Sequence, residues 1–384
     1  MDKIIHGDSA EELKKLPDNS VDLVCTDPPY GYSFMGKNWD KAVPSVEIWK
    51  ECLRVLKPGG FAFVMSAPRQ DVLSQMIVRI GEAGFDTDFT SIYWTYASGF
   101  PKAMNIGKMV DKRNGTTRKI LGVKHKTPPA TNNYGNYGNN FKVETTQGTS
   151  PLEGSYGGFQ PKPAVEVIIV AMKPLSEKTF VDQALKNGKG VTWLDDCRVP
   201  TTNVEKSELH AKASKNPTGV EGYFVPGIAS EPHIKGRFPA NLLVSDDVLG
   251  EHSRYFNLDT FPFAIVPKAS RGEKNEGLDD LPKGPAPASA RTKPAEGRQN
   301  ALGEPRANHH PTVKPLKLMS YLITLGSRPG DVVLEPFMGS GTTCLAAKNL
   351  NRHYIGIERE REYVKIAEAR LKEAPNLFQE NSPK

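Results

Sequence analysis

Residues 3–96 and 312–372 alternate short apolar strands with amphipathic helices, a rhythm that constrains a chain to an α/β fold on a parallel sheet. In the first stretch the pattern predicts strands at Lys3–His6, Val21–Thr26, Phe61–Met65 and Thr90–Tyr96. Helices are predicted at Ser9–Leu16, Val46–Leu56 and Asp71–Ala83. Ile48, Trp49, Cys52, Leu53, Val55 and Leu56 recur at helical spacing, and Lys57-Pro58-Gly59-Gly60 is a strong stop signal. In the second stretch the expected order is helix Leu316–Leu325, strand Asp331–Leu334, a Gly339-Ser340-Gly341 turn and helix Thr342–Leu350. Strand Tyr354–Ile357 and a charged helix over 361–372 follow, and 375–384 reads as a tail.

The middle of the chain has a different texture. Asn-Tyr-Gly-Asn-Tyr-Gly-Asn-Asn at 133–140, a Gly/Ser/Pro-rich stretch at 148–163 and a Pro/Ala/Arg-rich stretch at 282–311 hold little apolar surface to bury. Ala164–Met172 is a continuous apolar run suited to a central strand of the same sheet, and Phe238–Val244 and Phe261–Val266 are shorter strand-like segments. Between Pro101 and Val143 nine Lys or Arg stand against one acid, Asp111, so the +6 net charge is concentrated where a phosphate backbone could be met. A solvated face reads the same run equally well.

Other function classes are disfavoured by composition. At 38% hydrophobic and 24% charged the chain reads as a globular protein, and no apolar run approaches the length needed to cross a bilayer. The N-terminus enters a strand pattern at once without a signal-peptide layout, so a cytoplasmic protein is expected. Cys25, Cys52, Cys197 and Cys344 include no C-x-x-C pair; no metal site is expected, and scattered thiols suit a reducing compartment.

Three segments carry chemistry. Asp27-Pro28-Pro29-Tyr30 ends the second strand. The prolines fix φ and have no N–H of their own, so the Asp27 carboxylate and the Pro28 carbonyl can accept hydrogens from an amine while Tyr30 stacks on its ring. The second segment, Glu335-Pro336-Phe337-Met338-Gly339-Ser340-Gly341-Thr342-Thr343, is a strand, a Gly-rich turn and a helix start. Its glycines admit a ligand to the backbone. Glu358, at the tip of the next strand about twenty residues on, is placed as a ribose-binding acid. A tight structural turn is the plainer alternative. The third segment is the stiff polar loop His310-Pro311-Thr312-Val313-Lys314-Pro315, equally readable as a linker and helix start. Asp8, after the first strand, is by itself most simply a helix cap.

Taken together and in this order, these segments resemble DNA methyltransferases that modify exocyclic amines with S-adenosylmethionine. The catalytic tetrapeptide precedes a variable insert and the Gly-rich turn follows, which resembles the permuted order called β. Ala97–Lys102, Lys173–Lys178, Asp195–Pro200 and Gly236–Asn241 are similar to segments of prophage-type adenine methylases. The resemblance implies a Rossmann-like class I methyltransferase fold, circularly permuted, with an inserted target-recognition region. It divides the chain into a catalytic half (1–110), an insert (111–163 and 174–308, with 164–173 a strand of the sheet), a cofactor half (309–375) and a tail (376–384).

By the same resemblance Asp27, Pro28, Pro29 and Tyr30 are catalytic. Asp8, Asp27, Thr312, Lys314, Glu335, Phe337, Gly339, Ser340, Gly341, Thr342 and Glu358 bind S-adenosylmethionine, Asp8 at its adenine and Thr312 and Lys314 at its methionine end. Glu335 stands where the family more often has Asp. Arg113, Arg118, Lys119, Lys124, Asn132, Asn133 and Arg271 are candidates for contact with double-stranded DNA. A homodimer and a cognate restriction endonuclease are the protein partners implied.

The expected reaction is methylation of adenine N6 after base flipping, without a covalent intermediate. Cytosine N4 is the alternative within the class, and family members acting there more often carry Ser at the Asp27 position. RNA or protein methylases more often begin the tetrapeptide with Asn. The chain has no Pro-Cys dipeptide, which argues against cytosine-C5 chemistry. A DNA-binding module without catalysis is the reading from another class, and the intact Asp27 and Tyr30 argue against it. A dehydrogenase is disfavoured by the short glycine turn.

Overall fold

Eight of the ten described strands form one sheet. They are β1 (Lys3–His6), β2 (Val21–Thr26), β3 (Leu56–Ser66), β4 (Ile92–Thr95), β7 (Val165–Met172), β8 (Leu242–Val244), β9 (Val332–Glu335) and β10 (His353–Glu358). Their order across the sheet is β1-β10-β9-β2-β3-β7-β4-β8. The computed structural model describes residues 2–32, 40–96, 104–126, 141–159, 164–199, 236, 238–244, 269, 271–279, 281 and 307–373. The Phe261–Val266 segment lies outside them.

The chain divides into two units: Met1–Tyr96 with Val165–Pro282 and His310–Lys384, and Ala97–Ala164 with Lys283–His309. Of the stretch read as insert, α5 (Phe180–Asn187) and β8 fall in the first unit.

In the first unit the two strands latest in sequence lie between the two earliest. β10 and β9 separate β1 from β2, all paired in parallel. An all-parallel sheet is not what forms: β7 runs antiparallel to both β3 and β4. The apolar run of β7 placed it in the sheet interior, but such a run reads the same in either direction. β3 is also longer than expected. The stop signal ends helix α2 (Val46–Val55) as predicted, but Leu56 to Gly60 then pass directly into β3, and the β2–β3 pairing shifts register there.

Helices cover both faces. Leu13, Trp49, Cys52, Met76 and Ile80 form one layer, contributed by the Ser9–Lys15 region, by α2 and by α3 (Gln70–Glu82), with α1 at Ser9–Glu12. Between α3 and the next long helix stand α4 (Ile106–Arg113) in the second unit, α5, and the short α6 (Arg271–Asn275). The opposite layer comes from α7 (Leu316–Gly326), α8 (Thr342–Asn349) and α9 (Arg361–Glu373). α7 lies close on the sheet because it ends in glycine: a Cβ at Gly326 would stand 2.7 Å from both Leu23 and Phe63.

Charge locks the start of β2. Asp22 is 3% exposed and receives Lys57 Nζ at 2.7 Å, Lys189 Nζ at 2.8 Å and the Val332 N–H at 2.9 Å. Burial pushes its carboxyl up, but these donors outweigh that and hold it below its usual range.

The second unit contains α4, capped by the Asn105 side chain at 2.8 Å from the Lys108 N–H, and an antiparallel pair, β5 (Lys119–Lys126) with β6 (Phe141–Gln147). Neither was expected from the sequence. Arg118 supplies part of the order, pairing with Asp111, with Glu153 at 2.6 Å and with Thr146 Oγ1 at 3.0 Å.

Candidate active site

The parallel pair β9–β2 is where the direction of chain progression reverses. After β9 the chain moves outward to β10, and after β2 it moves the other way to β3. At such a switch point the two connections diverge and leave a crevice beyond the carboxyl ends of the strands. Asp27-Pro28-Pro29-Tyr30 leaves the end of β2 and Pro336–Gly341 leaves the end of β9, so the two segments meet there.

Beneath the crevice lies Glu335, 2% exposed. It accepts from Thr26 Oγ1 on β2, from Thr343 Oγ1 on α8 at 2.7 Å and from the Phe337 N–H at 3.1 Å. Glu335 ties the end of β2 to the turn and to the start of α8. Burial pushes its carboxyl up to about 7, against hydrogen bonds from Thr26, Thr343 and Phe337 that lower it. The folded protein therefore holds this proton more tightly than the unfolded chain, whose glutamate titrates near 4.5. The associated stability is complete below about 4.5 and is lost as pH rises through about 7. Glu335→Gln is accordingly expected to flatten the pH dependence of unfolding over that window by roughly 2–3 kcal/mol, with urea unfolding at several pH values as the measurement. A curve parallel to wild type would mean the carboxyl does not titrate there.

The backbone of the Gly-rich turn takes a form that glycine favours. Gly339 and Gly341 have φ of 52° and 82°, and a Cβ at Gly339 would stand 2.8 Å from His310 Nε2. Glu358 lies beside the turn, taking the Gly339 N–H on one oxygen at 2.8 Å and the Glu360 N–H on the other at 2.7 Å. Burial raises its carboxyl and these N–H groups pull it back. Each oxygen keeps a lone pair for a further donor. β1 closes that side: His6 is in register with Glu358, and the Gly7 N–H reaches the Glu358 carbonyl at 3.0 Å. Asp8 follows, exposed, its side chain capping α1 at 2.9 Å from the Ala10 N–H.

Phe337 packs edge-on against Trp49, with ring centroids 6.3 Å apart. Ser340 and Thr342 are buried against Arg370, whose Nη1 reaches the Ser340 carbonyl at 2.7 Å and Thr342 Oγ1 at 3.1 Å. Thr342 and Ser340 thus brace the turn from behind.

At the other half of the crevice the catalytic candidates form a network. Asp27 Oδ1 accepts from the Tyr30 hydroxyl at 2.7 Å, and Asp27 Oδ2 pairs with Lys314 Nζ at 2.6 Å. Lys314, expected at the methionine end of the cofactor, sits against Asp27 and lies 3.3 Å from the Tyr30 hydroxyl. Thr312, two residues earlier, donates its N–H weakly to His310 Nδ1 at 3.4 Å. Burial pushes Asp27's carboxyl up; Lys314 opposes that and Glu166 adds to it. Burial would lower Lys314, but Asp27 and Glu166 outweigh it and raise its ammonium. Pro28 is buried and Pro29 partly so.

Three contributors escaped the sequence reading. Asp40, 3% exposed, accepts the backbone N–H groups of Tyr30 at 2.7 Å, Gly31 at 2.9 Å and Tyr32 at 3.2 Å, fixing the tetrapeptide's exit. Glu166 arrives on β7. Arg370 arrives on α9. None stands near a motif, and only the register of β7, which brings Glu166 opposite Trp94 in β4, could have hinted at one of them.

Of the DNA-contact candidates, Arg113 and Lys119 are exposed, whereas Arg118 is engaged in the ion pairs described above. Lys124 lies on β5 and Arg271 opens α6. Asn132 and Asn133 lie outside the described residues. Among the described residues there is no cluster of three or more potential metal ligands and no helix long and apolar enough to cross a membrane.

Residues 21–369 match the family model N6_N4_Mtase, described as DNA methylase. Seventy-seven residues are 48% identical to the type II methyltransferase M.HinfI of Haemophilus influenzae, covering 20% of this chain and 21% of that one. Seventy residues are 51% identical to the type II methyltransferase M2.DpnII of Streptococcus pneumoniae, covering 18% and 26%. The chain thus aligns with only about a fifth to a quarter of these relatives' lengths. Among solved structures, the PvuII DNA methyltransferase (cytosine-N4-specific) matches with a TM-score of 0.46 at 18% identity, covering 100% of this chain and 88% of that one. An M1.HpyAVI–SAM complex matches with a TM-score of 0.40 at 19% identity, covering 97% and 99%.

Proposed function

We propose that this chain, a member of the N6/N4 DNA methylase family whose model spans residues 21–369, transfers a methyl group from S-adenosylmethionine to adenine N6 in duplex DNA. One observation carries the reading. β2 and β9 are hydrogen-bonded neighbours, so the amine-gripping tetrapeptide and the Gly-rich turn open into one crevice.

The residues fit the cofactor. A turn held at positive φ leaves room for close approach to its backbone, and the Glu358 carboxylate beside it suits a ribose diol. Phe337, Gly339, Gly341 and Glu358 would hold the nucleoside, with Asp8 at its adenine and Thr312 on the opposite side. S-adenosylmethionine supplies an already activated methyl group, so the protein's task is chiefly to position the attacking nitrogen.

That task falls to the other half of the crevice. The amine's lone pair is delocalised into its ring. Accepting its hydrogens on Asp27 and on the Pro28 carbonyl frees the lone pair and orients it. Tyr30 stacks on the extruded base, a geometry only a flipped base can reach. Asp40 keeps the tetrapeptide in place by its three backbone contacts. Adenine is favoured by Asp27 itself, since family members acting on cytosine more often carry serine there. Arg113, Lys119 and Lys124 are the proposed backbone-neutralising positions, with Asn132, Asn133 and Arg271 the proposed base readers and Arg118 a brace.

Methylation-aware sequencing of DNA from cells expressing the protein tests the reading. N6-methyladenine at a defined site is the expected product; N4-methylcytosine would move the activity to the other amine, and no modified base would overturn it. Glu358→Ala is expected to weaken S-adenosylmethionine binding about tenfold to a hundredfold, the loss of charge-assisted hydrogen bonds. Calorimetry reads this directly, and an unchanged affinity would remove Glu358 from the site.

A further inference from the structure

We propose that Glu166 is a positioning residue that draws Lys314 off Asp27 when the target amine arrives, an inference that rests on the amine-methylation reading above. Both oxygens of Asp27 are already engaged, Oδ1 by the Tyr30 hydroxyl at 2.7 Å and Oδ2 by Lys314 Nζ at 2.6 Å. Each oxygen keeps a further lone pair, but the Lys314 ammonium neutralises the carboxylate and competes with an incoming amine for it. Lys314 is 9% exposed, and a buried ammonium without a partner is strongly unfavourable.

Glu166 Oε2 is the acceptor both donors can turn to. It lies 3.3 Å from Lys314 Nζ and 3.3 Å from the Tyr30 hydroxyl. The Tyr96 hydroxyl, at the end of β4, also bonds Glu166 and steadies its carboxylate. A small swing of the ammonium exchanges the shorter ion pair for the longer one without passing through water.

The charge count explains why a second carboxylate is useful. Asp27, Glu166 and Lys314 together carry one net negative charge. With Lys314 on Glu166 that charge resides on Asp27, against the reacting nitrogen. As the nitrogen's lone pair forms the N–C bond, and the methyl carbon's bond to sulfur breaks with its electrons to sulfur, positive charge develops on the nitrogen. Asp27 stabilises it and accepts the surplus N–H proton, which then passes to water. Without Glu166, Lys314 neutralises Asp27 and competes with the amine.

The test compares two substitutions in the full-length chain. Glu166→Gln is nearly isosteric and keeps an acceptor for Tyr30 and Tyr96 but loses the charge; Glu166→Asp keeps the charge but shortens the reach. The probe is unmethylated mixed-sequence duplex DNA with methyl-labelled S-adenosylmethionine in single turnover. Calorimetric affinity for S-adenosylmethionine and the thermal midpoint are measured alongside. Glu166→Gln is expected to slow transfer on the order of tenfold with cofactor affinity within about twofold of wild type, and Glu166→Asp to be the faster of the two. A residue that only fills space gives the opposite order. Equal rates, a faster Gln variant, or a Gln variant that loses cofactor binding overturns the hand-off. Wild-type protein that transfers no methyl to DNA overturns the functional reading itself, and the hand-off with it.

Discussion

Asp27→Ala is expected to lower methyl transfer on the order of a thousandfold or more while S-adenosylmethionine affinity changes by less than about threefold. The size follows from what the carboxylate does. An exocyclic amine conjugated to its ring is a poor nucleophile until its hydrogens are held and its lone pair released. In a buried site the acceptor that does this is already oriented and needs no reorganisation at the moment of reaction. The selectivity of the loss follows from the architecture. Asp27 leaves β2, whereas the Gly-rich turn and Glu358 belong to β9 and β10, so the cofactor contacts proposed there are expected to outlast the substitution. Folding survives as well, because Glu166 remains 3.3 Å from Lys314 and takes over its charge. Single-turnover transfer and calorimetry on the same preparation separate the two effects. Transfer within tenfold of wild type would refute the amine-gripping role.

Asp22→Ala is expected to destabilise the first unit by about 3–5 kcal/mol, the usual penalty for removing one partner of a buried ion pair. Asp22 is the common acceptor for Lys57 on β3, Lys189 beyond α5 and the Val332 N–H on β9. Its loss leaves Lys189, 8% exposed at the side chain, with Asp331 alone at 2.8 Å. The paired change Asp22→Leu with Lys189→Met should recover most of the loss, since apolar side chains of similar volume often replace a buried ion pair at little cost. Denaturant unfolding measures both. A single substitution costing less than about 1 kcal/mol would show that Asp22 is not an anchor. The cluster stands at the start of β2, with the tetrapeptide at its other end, so this variant tests how firmly the frame holds the site.

Much of the frame was legible because periodicity is a local property. The helix over 46–55, the strands at Val21–Thr26 and Tyr354–Ile357 and the glycine turn all follow from the spacing of apolar residues and from glycine's freedom at positive φ. The antiparallel course of β7 was not legible, because an apolar run between two sheet neighbours is the same in either direction. Nor was the antiparallel pair of β5 and β6, which is held partly by Arg118. The site divides in the same way. Asp27, Tyr30, Gly339 and Glu358 announce themselves by their place at strand ends. Glu335 was read as a cofactor contact alone, and only the fold shows it bracing the frame, buried among Thr26, Thr343 and the Phe337 N–H.

An α/β chain with Asp-Pro-Pro-Tyr at a strand end and a glycine turn could be read from the residues alone, since these features depend on residue types within a few positions of one another. Folding was needed to bring Lys314 to Asp27, 287 residues away, and to stand Glu166 ready beside Lys314. An ion pair is a matter of distance in space. Strand order, not spacing along the chain, brings the two carboxylates within 2.6 and 3.3 Å of the one ammonium they share.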